Sequence, residues 1–138
     1  MRVTKIFNWH CAHRLPSHPG LCKNIHGHSY KLEVEVEGNC NPDGMVIDFS
    51  DLKQIVNRQV VDMFDHAYVY DLNNEQERKI AKFLHDEIGQ KLLPVDGPPT
   101  AELMAAWIFD IICSTVTFVE TFRVRLWETN TSYAEVGK

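Results

Sequence analysis

A chain of 138 residues, 44% hydrophobic and 24% charged, is long enough to make one domain over residues 1–138 that buries roughly two-thirds of its unfolded surface without disulfides. Its formal net charge of −5 with no long basic run argues against nucleic acid as a partner, and the polar start "MRVTKIFNWHCAHRL" is neither a secretory apolar region nor a membrane span. The expected setting is cytoplasmic, with Cys11, Cys22, Cys40 and Cys113 as free thiols, because no pair of them forms a C-x-x-C motif.

From Val3 to His13 the odd positions form a mostly apolar face, Val3, Phe7, Trp9, Cys11 and His13, which predicts a half-buried strand with His13 pointing inward. "RLPSHPG" breaks this alternation, so residues 14 to 24, Cys22 among them, are expected to form a loop. A second strand follows from Tyr30 to Glu37, with Leu32, Val34 and Val36 on one face and Lys31, Glu33, Glu35 and Glu37 on the other. Stepping back in twos from Leu32 passes Tyr30 and reaches His28 and His26, so both imidazoles share the apolar face.

Beyond the turn cluster "GNCNPDG", Ser50 is a plausible N-cap for a helix over about 51–64, with a stripe that runs through Leu52, Ile55, Val56, Val60, Met63 and Phe64. A second helix is expected over about 74–92, ended by "PVDGPP", and a third is capped by Thr100. "TFRVRLWET" alternates again, with Phe122, Val124, Leu126 and Glu128 on one face, and a further strand is expected near residues 115–119 or 131–136. Strands and helices in this order predict an α+β fold, a four-stranded antiparallel sheet with helices packed on one face.

Three inward imidazoles, His13, His26 and His28, with no fourth protein ligand describe an open zinc site that can accept a substrate oxygen; the competing reading is hydrogen-bonded core histidines. His10 falls on the opposite face. Cys22, a few residues from these rings, suits a thiolate that moves protons, and equally a fourth zinc ligand or an inert thiol. Asp65 and His66 can act as an oriented acid–base pair or simply end a helix. Glu102 can complement a helix N-terminus. Glu128, inward on an apolar face, needs a partner: an arginine such as Arg14 or Arg58, or the paired N–H donors of an amidine-like ring edge.

Taken together, "FNWHCAHRL", "CKNIHGHSY", "GMVIDFSDLK", "FDHA", "PTAE" and "WETNTSYAE" resemble, in order, the 6-pyruvoyl-tetrahydropterin synthase and 6-carboxy-tetrahydropterin synthase family. The resemblance implies the tunnelling fold (T-fold), β-β-α-α-β-β subunits assembled as a homo-oligomer, with a hexamer built as a dimer of trimers favoured and active sites between subunits. It implies Zn2+ on His13, His26 and His28, a catalytic Cys22, Asp65 and His66 for proton transfer, and Glu128, aided by Thr100 and Glu102, for the pterin ring. The implied substrate is 7,8-dihydroneopterin triphosphate, taken to 6-carboxy-5,6,7,8-tetrahydropterin, acetaldehyde and triphosphate on the way to queuosine. A pyruvoyl-forming sister activity and a non-catalytic zinc scaffold closed by Cys22 are the alternatives. The stretch between His66 and Thr100 exceeds that of the shortest relatives and carries the extra helix.

Overall fold

The computed structural model describes residues 1–117 and 121–138. Alternation in the first two segments becomes a long antiparallel hairpin, β1 (Arg2–His13) against β2 (His26–Glu37), in continuous register from Arg2↔Glu37 to His13↔His26. One face of the hairpin is apolar because every second residue is, and Phe7, Trp9, Tyr30, Leu32, Val34 and Val36 are all buried on it. β5 (Thr121–Thr129) pairs with β2, and β6 (Ser132–Gly137) pairs with β5, both antiparallel. On the outer face the register sets Glu35 opposite Arg123 and Glu33 opposite Arg125, an opposite-charge ladder that a solvated sheet face favours.

The sheet has six strands, not the expected four, in the order β4-β3-β1-β2-β5-β6. The two additional strands, β3 (Tyr68–Asp71) and β4 (Leu92–Val95), pair in parallel with each other, and β3 joins β1 in parallel at Ala12↔Tyr68, so the sheet is mixed. Four-residue strands are too short to show alternation in a sequence, and the second fell where the helix was expected to end. That helix, α3 (Glu75–Ile88), stops earlier, at Gly89, whose φ of 65° terminates it in the left-handed conformation. Of the two places considered for a last strand, residues 132–137 form it; Thr115 closes a helix, and residues 118–119 lie outside the described residues.

The helix expected over 51–64 is three pieces. α1 (Phe49–Val56) is capped by Asp48 rather than Ser50, a π-turn runs over Asn57–Val61, and α2 (Asp62–Phe64) completes it. The wider turn rotates the stripe, so Val60 and Phe64 stay in the core while Met63 is 49% exposed. With α4 (Ala101–Thr115), these helices cover the apolar face and meet it through Leu52, Val56, Met104, Ile108 and Ile112.

α3 does not join them. It meets β3 from the other side of the sheet through Tyr68, whose neighbour Val69 points into the core, so the helices are not all on one face. Among the described residues no helix is long and apolar enough to cross a membrane.

Ile108, fully buried between the helical layer and the sheet, sets a test of this core. Ile108→Ala should cost about 2–5 kcal/mol of unfolding free energy, measured by urea denaturation.

Candidate active site

Where β1 and β2 end together, alternation delivers three imidazoles to the core face, and a metal-ligating atom of each of His13, His26 and His28 lies within 4.8 Å of the others. His13 is 1% exposed, whereas His26 and His28 are half-buried at the rim. Gly27 stands between His26 and His28 on β2 because a Cβ there would approach the Cys11 carbonyl oxygen at 3.1 Å. A side chain at this position would push the strands apart.

The rings are oriented from behind by backbone. His13 Nδ1 lies 2.8 Å from the Pro99 carbonyl oxygen and His26 Nδ1 lies 2.7 Å from that of Asn24. A carbonyl only accepts, so both Nδ1 atoms carry the proton and both Nε2 atoms present lone pairs. Those Nε2 atoms face each other at 3.1 Å. A proton between them is disfavoured, since burial, slightly opposed by the Pro99 bond, lowers the His13 pKa to about 4. His28 Nε2 is also buried and has no hydrogen-bond partner; its nearest charge is Glu128 Oε1 at 3.6 Å, beyond bonding distance. Two opposed lone pairs and a third orphaned nitrogen fit a divalent cation. Two nitrogens of a tetrahedral zinc shell stand about 3.3 Å apart, close to the separation seen here.

Cys22 lies in a 3₁₀ turn (Leu21–Lys23), half-buried and outside the three-histidine group. The turn connects to His26 through Asn24, whose N–H and side-chain amide both donate to the Leu21 carbonyl while its own carbonyl holds the His26 ring. Glu128 sits at a bulge in β5, between Trp127, which pairs with Tyr133, and Thr129, which pairs with Ser132; its oxygen is turned toward His28 and no arginine lies on it among the described residues. Arg14, offered from the sequence as its partner, instead pairs with Glu77 at 2.8 Å. Thr100 caps α4 and accepts from the Leu103 N–H, directly after the Pro99 carbonyl that holds His13. Glu102 is exposed on the first turn of α4.

Asp65 and His66 do form a pair, with Oδ1 and Nδ1 2.9 Å apart. The slight burial of Asp65 is outweighed by the His10 backbone N–H and the His66 ring, which hold its carboxyl below the usual range. His66 has φ of 62°, the one non-glycine residue with positive φ among those described, and is fixed by the His10 carbonyl on its N–H and by Gln90 on its carbonyl. Positive φ is uncommon in a residue that bears a β-carbon, and these two hydrogen bonds hold it here. The pair stands on the other side of the sheet from the three-histidine group. The His66 ring lies edge-on to His10 at 6.3 Å, beside an open cavity of about 490 Å³ that is also lined by Ser29, Tyr68, Leu84 and Gln90 and, at its edge on β2, by Gly27 and His28. Among the described residues, no hydrogen bond, ion pair or ring contact within one chain joins the Asp65–His66 pair to the three imidazoles.

The orienting groups Pro99 and Asn24 escape a reading of the sequence because they act through backbone oxygen, which every residue type offers.

A family model described as 6-pyruvoyl tetrahydropterin synthase matches residues 2–138. The chain is 42% identical over 138 residues to the 6-carboxy-5,6,7,8-tetrahydropterin synthase of Haemophilus influenzae, covering 97% of this chain and 96% of that one. It is 32% identical to the enzyme of the same name from Aquifex aeolicus, over 83% and 74% of the two chains. In structure it matches the 6-pyruvoyl tetrahydropterin synthase of Plasmodium falciparum with a TM-score of 0.77 at 19% identity, over 100% and 97% of the two chains, a likeness of fold.

Two measurements check the metal group. His13→Ala, His26→Ala and His28→Ala should each abolish stoichiometric zinc binding by elemental analysis while Cys22→Ala keeps it, and metal-edge absorption should show nitrogen and oxygen scatterers without sulfur at about 2.3 Å. In the metal-free protein, His13 is held neutral in the fold but takes up a proton in the unfolded chain. Its contribution to stability should be full above pH about 6.5 and lost as the pH falls toward about 4, seen as a falling thermal midpoint that His13→Gln flattens.

Proposed function

The chain belongs to the 6-pyruvoyl tetrahydropterin synthase family, and from that premise we propose that it is a zinc-dependent 6-carboxy-5,6,7,8-tetrahydropterin synthase. As a carbon–carbon lyase it takes 7,8-dihydroneopterin triphosphate and water to 6-carboxy-5,6,7,8-tetrahydropterin, acetaldehyde and triphosphate, in queuosine biosynthesis. The observation that carries the reading is the pair of opposed, proton-free Nε2 atoms of His13 and His26 beside the orphaned nitrogen of His28. The names of the relatives at 42% and 32% identity favour the carboxy-forming branch. The name of the family model favours the pyruvoyl-forming branch, which eliminates triphosphate without releasing acetaldehyde.

His13, His26 and His28 would hold the zinc ion, which when bound would supply Lewis acidity toward the hydroxyls of the substrate side chain. Glu128 accepts two N–H donors from the pterin edge, the bidentate partner that its half-buried carboxylate lacks in the free chain. Thr100, the cap of α4, and Glu102, on its first turn, flank that ring. Cys22 as thiolate takes a proton from the side-chain carbon beside the ring, and the Asp65–His66 pair exchanges protons with the substrate from another direction. Because that pair stands across the sheet from the imidazoles of its own chain, a second copy supplies it, and the working form is a homo-oligomer, a hexamer built as a dimer of trimers.

Incubating the zinc-loaded protein with 7,8-dihydroneopterin triphosphate and identifying products by mass spectrometry should give acetaldehyde and the carboxypterin. A pyruvoyl product assigns the sister activity, and no turnover rejects both. Cys22→Ala should lose about two or more orders of magnitude in kcat with zinc retained. Mixing His28→Ala with His66→Ala, each inactive alone, and allowing the subunits to exchange should restore part of the activity. Lack of recovery in demonstrably mixed oligomers rejects the shared site.

A further inference from the structure

The carboxylate of Glu77 is completely buried, on the first turn of α3. A carboxylate in that position needs partners, and it has two. The Tyr68 hydroxyl donates to Oε2 at 2.7 Å and Arg14 Nη1 donates to Oε1 at 2.8 Å. Burial and then the neighbouring carboxylate push the Tyr68 phenol well above its ordinary pKa, so it stays a donor. The stability of α3 alone is a weak reason for such an arrangement, because a buried ion pair rarely outperforms well-packed apolar side chains of similar volume.

The other contacts of the guanidinium supply a stronger reason. Arg14 Nε donates to the Lys23 carbonyl at 2.9 Å, and the N–H of the next residue, Leu15, donates to the Cys22 carbonyl at 2.8 Å. Two successive carbonyls of the turn that carries Cys22 are thus held from one short segment. Arg14 directly follows His13, so the same segment joins a metal-group histidine, the thiol turn and α3. A planar, five-donor guanidinium can serve the carbonyl and the carboxylate at once; an ammonium cannot do so with the same geometry.

We infer that Arg14 is a positioning residue for the Cys22 thiol, its guanidinium held by the buried carboxylate of Glu77 on α3, which the hydroxyl of Tyr68 holds in turn. The inference rests on the reading of Cys22 as the proton-moving thiol. It requires no contact between Arg14 and substrate.

Arg14→Lys keeps a cation for Glu77 and gives up the Nε bond to the turn, and Glu77→Gln unlocks the guanidinium from the other side. In the full-length zinc-loaded protein, both should retain one zinc per chain. Peptide-resolved iodoacetamide labelling should show Cys22 alkylated severalfold faster than in the parent, with the labelling of Cys40 unchanged. With 7,8-dihydroneopterin triphosphate, kcat should fall about tenfold or more while KM changes little. Tyr68→Phe, which removes only one bond to the carboxylate and folds most easily of the three, should shift the same readouts by less.

Folded variants that lose only thermal stability, with parental Cys22 labelling, overturn the inference. If the parent enzyme itself does not turn over this substrate, the proposed activity fails while the labelling still decides the role of Arg14.

Discussion

The Nδ1 protons of His13 and His26 are committed to the carbonyls of Pro99 and Asn24, and that commitment leaves two nitrogen lone pairs facing each other across 3.1 Å. Such an arrangement repels itself unless a cation sits between the nitrogens, and burial makes a proton a poor one. The rest of the site depends on this constraint. It extends to His28, whose own nitrogen has no partner, and it ties the three-histidine group to two further pieces of chain. The Pro99 carbonyl comes immediately before the cap of α4, and the Asn24 carbonyl comes immediately after the turn that holds Cys22.

The sheet divides the chemistry between its faces. On the core face the imidazoles lie at the end of an apolar layer, where Tyr30, close to His13 and His28, excludes water beneath them. On the outer face stand His10, the strained His66 and its carboxylate partner, beside an open cavity. α3 packs on this outer side and reaches back, through Glu77 and Arg14, to the loop between β1 and β2. A residue pair on one face and a three-histidine group on the other stand apart in one copy, and this separation is the ground for the homo-oligomer proposed above.

Much of this was legible in the sequence wherever a period of two ran for eight or more residues. The hairpin of β1 and β2, the inward face of His13, the shared face of His26 and His28, and the outward turn of His10 all follow from alternation alone, because successive side chains on a strand must point to opposite sides. The same logic placed Glu128 on the inward face of β5. Thr100 as the cap of α4 was legible because a hydroxyl before an apolar helix has few other uses. The strands β3 and β4 were not, since four residues hold barely two periods, and a parallel pair is defined by a crossover rather than by a turn. Nor was the π-turn that exposes Met63: one added residue per turn leaves no mark on composition.

The sequence by itself determined which residues could carry the chemistry and which face of a strand each would occupy, since both are properties of side-chain type and local period. Tertiary structure alone decided which of them meet. It gave Arg14 to Glu77 rather than to Glu128, set Asp65 and His66 beside His10 instead of the metal group, and supplied the two carbonyls that orient the imidazoles. The physical reason is that these are contacts between distant segments, several of them made by backbone oxygen. A carbonyl is present at every position, and only the packed fold selects which one lies behind a given ring.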